Sequence, residues 1–164
     1  MTGETVFNQQ DRVANLCILT LNGTQELGEK INRHLVSWAQ KGGGTETNFL
    51  VESECPRFSS GDGKGVIKSS IRSDDLFILV DVGNYSCTYK LFGKENAMSP
   101  DDHFQDLKRI IQAAGGKAHR INVIMPILYG GRQHRRSYRE SLDCAVSLQE
   151  LERMGVSNII TFDA

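Results

Sequence analysis

No apolar run in the chain approaches the roughly 20 residues needed to span a bilayer. The opening stretch, MTGETVFNQQDRVANLC, is too polar for a secretory signal. Both absences point to the cytoplasm and away from a membrane partner. Charge of one sign is lacking too: 19 basic against 20 acidic residues leave a formal net charge of -1. No general field therefore draws nucleic acid, no nucleic-acid partner is expected, and any anion site must be local. The four cysteines, Cys17, Cys55, Cys87 and Cys144, form no C-x-x-C pair and lie in or beside apolar runs such as CILTL and DCAVSL. That setting suits reduced, buried thiols better than disulfides or metal ligands. Nor do His34, His103, His119 and His134 form H-E-x-x-H or any short ligand cluster.

What is present suffices for one domain, since 164 residues with a 39% hydrophobic fraction can bury a real core. Leu16 to Leu21 (LCILTL) reads as a strand that stops at Asn22-Gly23. From Thr24, a candidate N-cap, the spacing of Leu27, Ile31, Leu35 and Trp38 predicts an amphipathic helix that Gly42-Gly43-Gly44 ends. Strands are predicted at 48–51, 66–71 and 76–82, the last (LFILVDV) of the kind buried on both faces. Residues 84–99 show no clear period and read as an irregular excursion. A helix opens at Pro100-Asp101-Asp102, with Phe104, Leu107, Ile110 and Ile111 inward and the two aspartates at its positive end. Then follow a strand at 121–128 (INVIMPIL), a loop with Gly130-Gly131, a helix over 139–154 and a strand from Asn158 (NIITF). This alternation predicts an α/β fold, a mainly parallel sheet with helices on both faces. Such sheets bind ligands at the carboxyl ends of their strands, so the polar loops there are the places to look.

The densest of these is Arg132-Gln133-His134-Arg135-Arg136 with Arg139 close behind, which sets four guanidinium groups within eight residues. Guanidinium forks pair bidentately with phosphate, so a phosphate or nucleotide site is one reading; a solvated or subunit-contact loop is the other. RNA binding is less favoured, because Tyr138 is the only aromatic nearby. Phe58 to Asp62 offers an aromatic for a base and polar groups for an amine or ribose hydroxyl, or else a hairpin turn with Phe58 in the core. Gly61-Asp62-Gly63-Lys64-Gly65 lacks the spacing of a G-x-x-x-x-G-K-[ST] phosphate loop. Asp163, one residue past an apolar strand, could hold Mg²⁺ or a substrate hydroxyl, or simply end the strand.

Several ordered motifs resemble those of the ribose-phosphate pyrophosphokinases, or phosphoribosyl pyrophosphate synthetases. Gly23 with Leu27 looks like the family's opening strand-to-helix segment. Phe58-Ser59-Ser60-Gly61-Asp62 resembles F-S-[ND]-G-E, and Ser70-Ile71-Arg72-Ser73-Asp74-Asp75 resembles S-V-R-G-x-D. Pro126 stands six residues before Arg132-Gln133, the spacing of the P…Y-A-R-Q loop, and Ile159 to Asp163 resembles the strand entering D-[LA]-H. The resemblance implies a phosphoribosyltransferase-type domain, the first of two similar ones assembled into dimers and hexamers. It implies transfer of pyrophosphate from ATP to ribose 5-phosphate with Mg²⁺, giving phosphoribosyl pyrophosphate and AMP. By it, Phe58, Ser60, Gly61 and Asp62 contact adenine, commonly in a neighbouring subunit's site, Arg132 and Gln133 contact ATP, and Asp163 belongs to the metal site. Arg72 falls where the family binds a regulatory phosphate or nucleotide.

The sequence departs from the pattern in places. Asp62 stands for Glu and Ser60 for Asn or Asp, shortening the reach and trimming the hydrogen-bonding capacity. Gly130-Gly131 replaces Tyr-Ala and His134 replaces Asp, making the loop more basic and more flexible. The family's metal-binding histidine follows two residues after the Asp163 position, whereas the sequence reaches only Ala164. Residues 1–164 are thus expected to be the ATP-contacting domain without its second domain, and inactive alone. The softened motifs also fit a non-catalytic, synthetase-associated regulator, and a generic nucleotide- or RNA-binding module is the third reading.

Overall fold

The computed structural model describes residues 13–163. The polar opening stretch read above as no signal lies mostly outside them. Five strands form one parallel sheet: β1 (Leu16–Thr20), β2 (Leu50–Val51), β5 (Asp75–Leu79), β8 (Arg120–Ile124) and β9 (Val156–Ile160), in the order β2-β1-β5-β8-β9. Three helices connect them: α1 (Gln25–Lys41), α2 (Pro100–Ala114) and α3 (Asp143–Arg153). The chain moves outward from β1 to β2, then returns past β1 to β5 and continues the other way. Right-handed crossovers place helices reached in opposite directions on opposite faces. The packing agrees. Cys17, Leu19, Leu76, Ile78, Ile121 and Val123 meet Leu107, Ile110 and Ala114 of α2 and Leu151 of α3. On the α1 side, Ala39 and Phe49 pack with Leu16, Leu35 and Val36. Each fully buried Leu, Ile or Val contributes about 1.5–3 kcal/mol.

The predicted stripe on α1 is displaced. Leu27 and Trp38 are 44% and 48% exposed, while Gly28 and Ala39 are buried. The helix lies so close to β1 that a β-carbon at Gly28 would sit 2.2 Å from Thr20 Cγ2, so small residues make the contact. Thr24 occupies the N-cap position but its side chain does not cap. Its buried hydroxyl instead donates, in a shared arrangement, to the carbonyls of Leu21 (2.7 Å) and Leu79 (3.1 Å), tying the ends of β1 and β5 together.

The span predicted as one strand over 66–71 is only β4 (Val66–Ile67). It pairs antiparallel with β3 (Ser53–Glu54), outside the main sheet. Lys68 clasps this hairpin through Glu52 and Glu54, both at 3.0 Å. The excursion at 84–99 is not irregular: β6 (Thr88–Leu91) and β7 (Lys94–Ala97) form a second antiparallel hairpin. Its two turn residues, Phe92 (φ 48°) and Gly93 (φ 80°), both have positive φ, as a tight hairpin turn requires. Helix α3 starts four residues later than its spacing predicts, after a segment in which Tyr138 has φ 62°.

At α2 the two acidic residues split their roles. Ser99 Oγ accepts from the Asp102 amide, and the Asp102 carboxylate accepts from the Ser99 amide, a reciprocal cap. Gly115 in the left-handed region (φ 53°) ends the helix.

Where β5 and β8 begin, Arg120 donates to both oxygens of its register partner Asp75, at 2.8 and 2.5 Å. That hydrogen bond holds the Asp75 carboxyl below the ordinary carboxylate range. A carboxyl lowered by folding stabilises fully above its unfolded value, about 4, and the contribution disappears as pH falls through the folded value. Melting temperature is therefore expected to drop with acidification below about pH 4, and to drop less steeply in Asp75→Asn. Parallel pH profiles for the two proteins would refute the linkage.

Candidate functional site at the carboxyl ends of the strands

The segments after β5 and β8 wall a cavity of about 490 Å³ at the carboxyl ends of the sheet. Val82, Gly83 and Tyr85 follow β5, Ile127 to Arg132 follow β8, and Pro100, Asp101 and Asp143 come from the starts of α2 and α3. The Tyr129 ring stacks on Phe104 of α2 with centroids 4.1 Å apart and planes 4° from parallel. Its hydroxyl donates to Asp101 Oδ1 at 2.7 Å, closing one wall. Burial, then that hydrogen bond and the Asp101 charge, push the Tyr129 hydroxyl up to about 12, so it stays a neutral donor.

Gly131–Gln133 forms a single 3-10 turn, which brings Arg132 to the rim of the cavity, with Gln133 beside it. Gly130 has φ 69°, and a β-carbon there would lie 3.0 Å from the Cys144 amide nitrogen. The first glycine of the pair therefore allows the loop to press on the start of α3, a packing demand rather than mere pliancy. Among the described residues, Arg132, Arg135, Arg136 and Arg139 have no ion-pair partner. Their charge is free for an anion. His134 Nδ1 lies 2.9 Å from the Gly131 carbonyl, folding that ring back on the turn.

Asp163 reaches the same end of the sheet. It bridges Ile127 in parallel, its carbonyl accepts from the Leu128 amide at 2.9 Å, and its side chain is exposed. As a hard oxygen donor it suits Mg²⁺, which commonly takes one or two carboxylates with substrate phosphates. Among the described residues, no group of three or more His, Cys, Asp or Glu side chains is placed to hold a metal. Asp163 can supply only part of a shell.

The Phe58–Asp62 turn lies elsewhere. Arg57 and Gly63 bridge across its base, the Gly61 amide donates to the Phe58 carbonyl, and Gly61 takes φ 93°. It is a hairpin turn, but Phe58 is 55% exposed and outside the core. Ser60 Oγ donates to Asp62 Oδ2 at 2.8 Å within the turn. No hydrogen bond, ion pair or ring contact among the described residues joins this turn to Arg132 or Gln133. Its neighbour is the β6–β7 hairpin. The Phe92 amide donates to the Ser59 carbonyl at 3.3 Å, and the Arg57 guanidinium lies 5.3 Å from the Tyr89 ring centroid.

Sequence reasoning missed the anchor under this turn. Asp106 of α2, 2% exposed, receives Arg57 through both guanidinium nitrogens at 2.5 and 2.9 Å and Arg109 at 2.8 Å. It also missed His103, 1% exposed, whose Nε2–H donates to the Asn84 carbonyl at 2.8 Å and holds the root of the second hairpin. An aspartate at a helical core position three residues from an arginine was the available signal. A separate hollow, of about 230 Å³, is lined by Ser69, Ser70, Arg72 and Lys117.

A parallel sheet in this strand order, helices on both faces, and basic and acidic loops at its carboxyl ends define a doubly wound α/β domain with a ligand crevice. Residues 16–155 match the family described as the N-terminal domain of ribose phosphate pyrophosphokinase, and the chain belongs to that family. It is 28% identical over 152 residues to the ribose-phosphate pyrophosphokinase of Corynebacterium ammoniagenes, covering 92% of this chain and 40% of that protein. Ribose-phosphate pyrophosphokinase 1 of Schizosaccharomyces pombe is 30% identical over 109 residues, covering 65% of this chain and 23% of that protein. The phosphoribosylpyrophosphate synthetase of Mycobacterium smegmatis shares the fold, with a TM-score of 0.65 and 17% identity over 90% of this chain and 42% of that one. The chain thus spans about two fifths of the length of the bacterial curated relatives it matches. No helix among the described residues is long and apolar enough to cross a membrane.

Proposed function

We propose that this domain is the nucleotide-binding part of a ribose-phosphate diphosphokinase, which moves pyrophosphate from ATP to ribose 5-phosphate. The 1-hydroxyl of the sugar attacks the β-phosphorus, and AMP leaves. The observation that carries the reading is Arg132, without an ion-pair partner among the described residues, at the rim of a cavity at the carboxyl ends of β5 and β8, in a chain of this family. Arg132 pairs with phosphate oxygens and Gln133 hydrogen-bonds to the nucleotide. Phe58 stacks on adenine, while Ser60, Gly61 and Asp62 meet its polar edge. Asp163 holds part of the Mg²⁺ shell, and the ion supplies neutralisation of the phosphate charge.

The separation of the Phe58 turn from the Arg132 loop supports an arrangement in which the turn serves a neighbouring copy, in a homo-oligomeric, cytoplasmic enzyme. Arg72 with Lys117 and the two serines offers a polar hollow for a regulatory anion. In-line transfer needs charged groups around donor and acceptor alike, and these residues serve the donor. Residues 1–164 alone are therefore expected to bind ATP without forming phosphoribosyl pyrophosphate, and a chain extended by the second domain to form it. Mass spectrometry of the products tests both; an extended chain that makes none sinks the reading. The hydrogen bond from Ser60 to Asp62 favours a second one, a non-catalytic partner of a synthetase, because it spends part of the Asp62 acceptor capacity inside the turn.

A further inference from the structure

Phe92 poses a question that the fold does not answer. It occupies the first of two central positions in the β6–β7 turn with φ 48°, a conformation that suits Gly, Asn or Asp and strains an aromatic side chain. Its ring is 78% exposed, so burial does not compensate for that strain. Backbone strain of this kind persists where the surroundings over-determine it, and it clusters at ligand contacts.

The surroundings here are specific. The Phe92 amide donates to Ser59 at 3.3 Å, so its side chain leaves the backbone directly beside the residue that follows Phe58. The neighbouring Leu91 fits so closely that a β-carbon on Gly61 would lie 2.9 Å from its Cδ1. Tyr89 lies against Arg57, which is itself locked to Asp106. The second hairpin is therefore fixed to the first on three successive points, and together they display two exposed phenylalanines, Phe58 and Phe92. Solvent-facing rings held on rigid backbone are what a planar heterocycle stacks on.

We infer that Phe92 is a second aromatic contact for the adenine of ATP, carried beside Phe58 by the β6–β7 hairpin and acting on the same bound nucleotide. This rests on the nucleotide reading of the Phe58 turn. The occupant is a purine base rather than a protein surface, because the Phe92 amide is bonded to Ser59, which lies between Phe58 and Ser60 in the turn proposed to meet the base and its polar edge. Tyr85, the other exposed aromatic of this excursion, lines the cavity beside Arg132 instead.

The test uses the full-length enzyme. Phe92→Ala is expected to raise KM for ATP about tenfold, the size of one lost ring-on-base stack, with kcat and KM for ribose 5-phosphate kept. Phe92→Tyr should restore KM, and the added fluorescence of Phe92→Trp should be quenched by ATP over the concentration range of its KM. An unchanged KM in Phe92→Ala overturns the inference, as does a loss of kcat that Phe92→Tyr does not restore, which would assign Phe92 to the hairpin's folding alone. Failure of the unmodified full-length protein to form phosphoribosyl pyrophosphate would instead overturn the reading on which the inference rests.

Discussion

Asp106→Ala is expected to lower the stability of the domain by about 3–5 kcal/mol, the cost of leaving a buried charge unpaired. The side chains of Arg57 and Asp106 are 7% and 3% exposed, and Arg109 joins them at 19%. Removing the carboxylate strands the Arg57 guanidinium against α2 with no other hydrogen-bond acceptor on its two terminal nitrogens among the described residues. At this chain length the loss corresponds to a fall of roughly 6–20 °C in melting temperature. Urea denaturation of the 164-residue chain measures it directly. A change below about 1 kcal/mol would mean that water readily reaches both guanidinium groups, contrary to their burial. The same substitution should free the Phe58 turn, because Arg57 stands at that turn's base and ties it to α2 through Asp106. Proteolysis within 57–63 is then expected to accelerate more than cleavage elsewhere.

Arg132→Ala is expected to act on function and leave stability alone. Under the proposed role, deleting a guanidinium that pairs with phosphate costs about 2–3 kcal/mol, a fall of roughly 30- to 150-fold in kcat/KM for ATP in the full-length enzyme. Arg132→Lys should recover only part, since an ammonium keeps the charge without the planar fork. Because Arg132 has no ion-pair partner among the described residues, the melting temperature should stay within a degree or two of the parent. Steady-state kinetics beside a thermal melt separates the outcomes, and an unchanged kcat/KM would remove Arg132 from the nucleotide site.

The parts of the fold that were legible in the sequence are those where local pattern and tertiary demand coincide. Leu76 to Val82 is an apolar run because β5 is central, with β1 and β8 on either side and helices above and below. Pro100-Asp101-Asp102 marked the start of α2 because helix entry has its own local chemistry. On α1 the two diverged: the larger side chains predicted a face, but the close approach at Gly28 chose the smaller one. The β6–β7 hairpin escaped because its turn pair is Phe-Gly rather than Asn-Gly, and because the alternation of β6 (Thr88, Tyr89, Lys90, Leu91) has no counterpart in the polar, mostly exposed β7. The basic loop and Asp163 could be named from strand ends alone. That Arg57 reaches Asp106, 49 residues away, could not, because no local period connects a turn with the inner face of a later helix.

The root of the β6–β7 hairpin closes on itself, for the Met98 amide donates to the Cys87 carbonyl at 2.8 Å. A segment that departs and returns at one point adds nothing to the span that β5 and α2 must bridge. It behaves as a cassette: an ancestor could acquire it, and a designer can trade it for another length or tip, without disturbing the sheet. Under the proposed roles, base preference could then evolve apart from the phosphate-facing loops, on a graft whose two ends meet at one point of the scaffold.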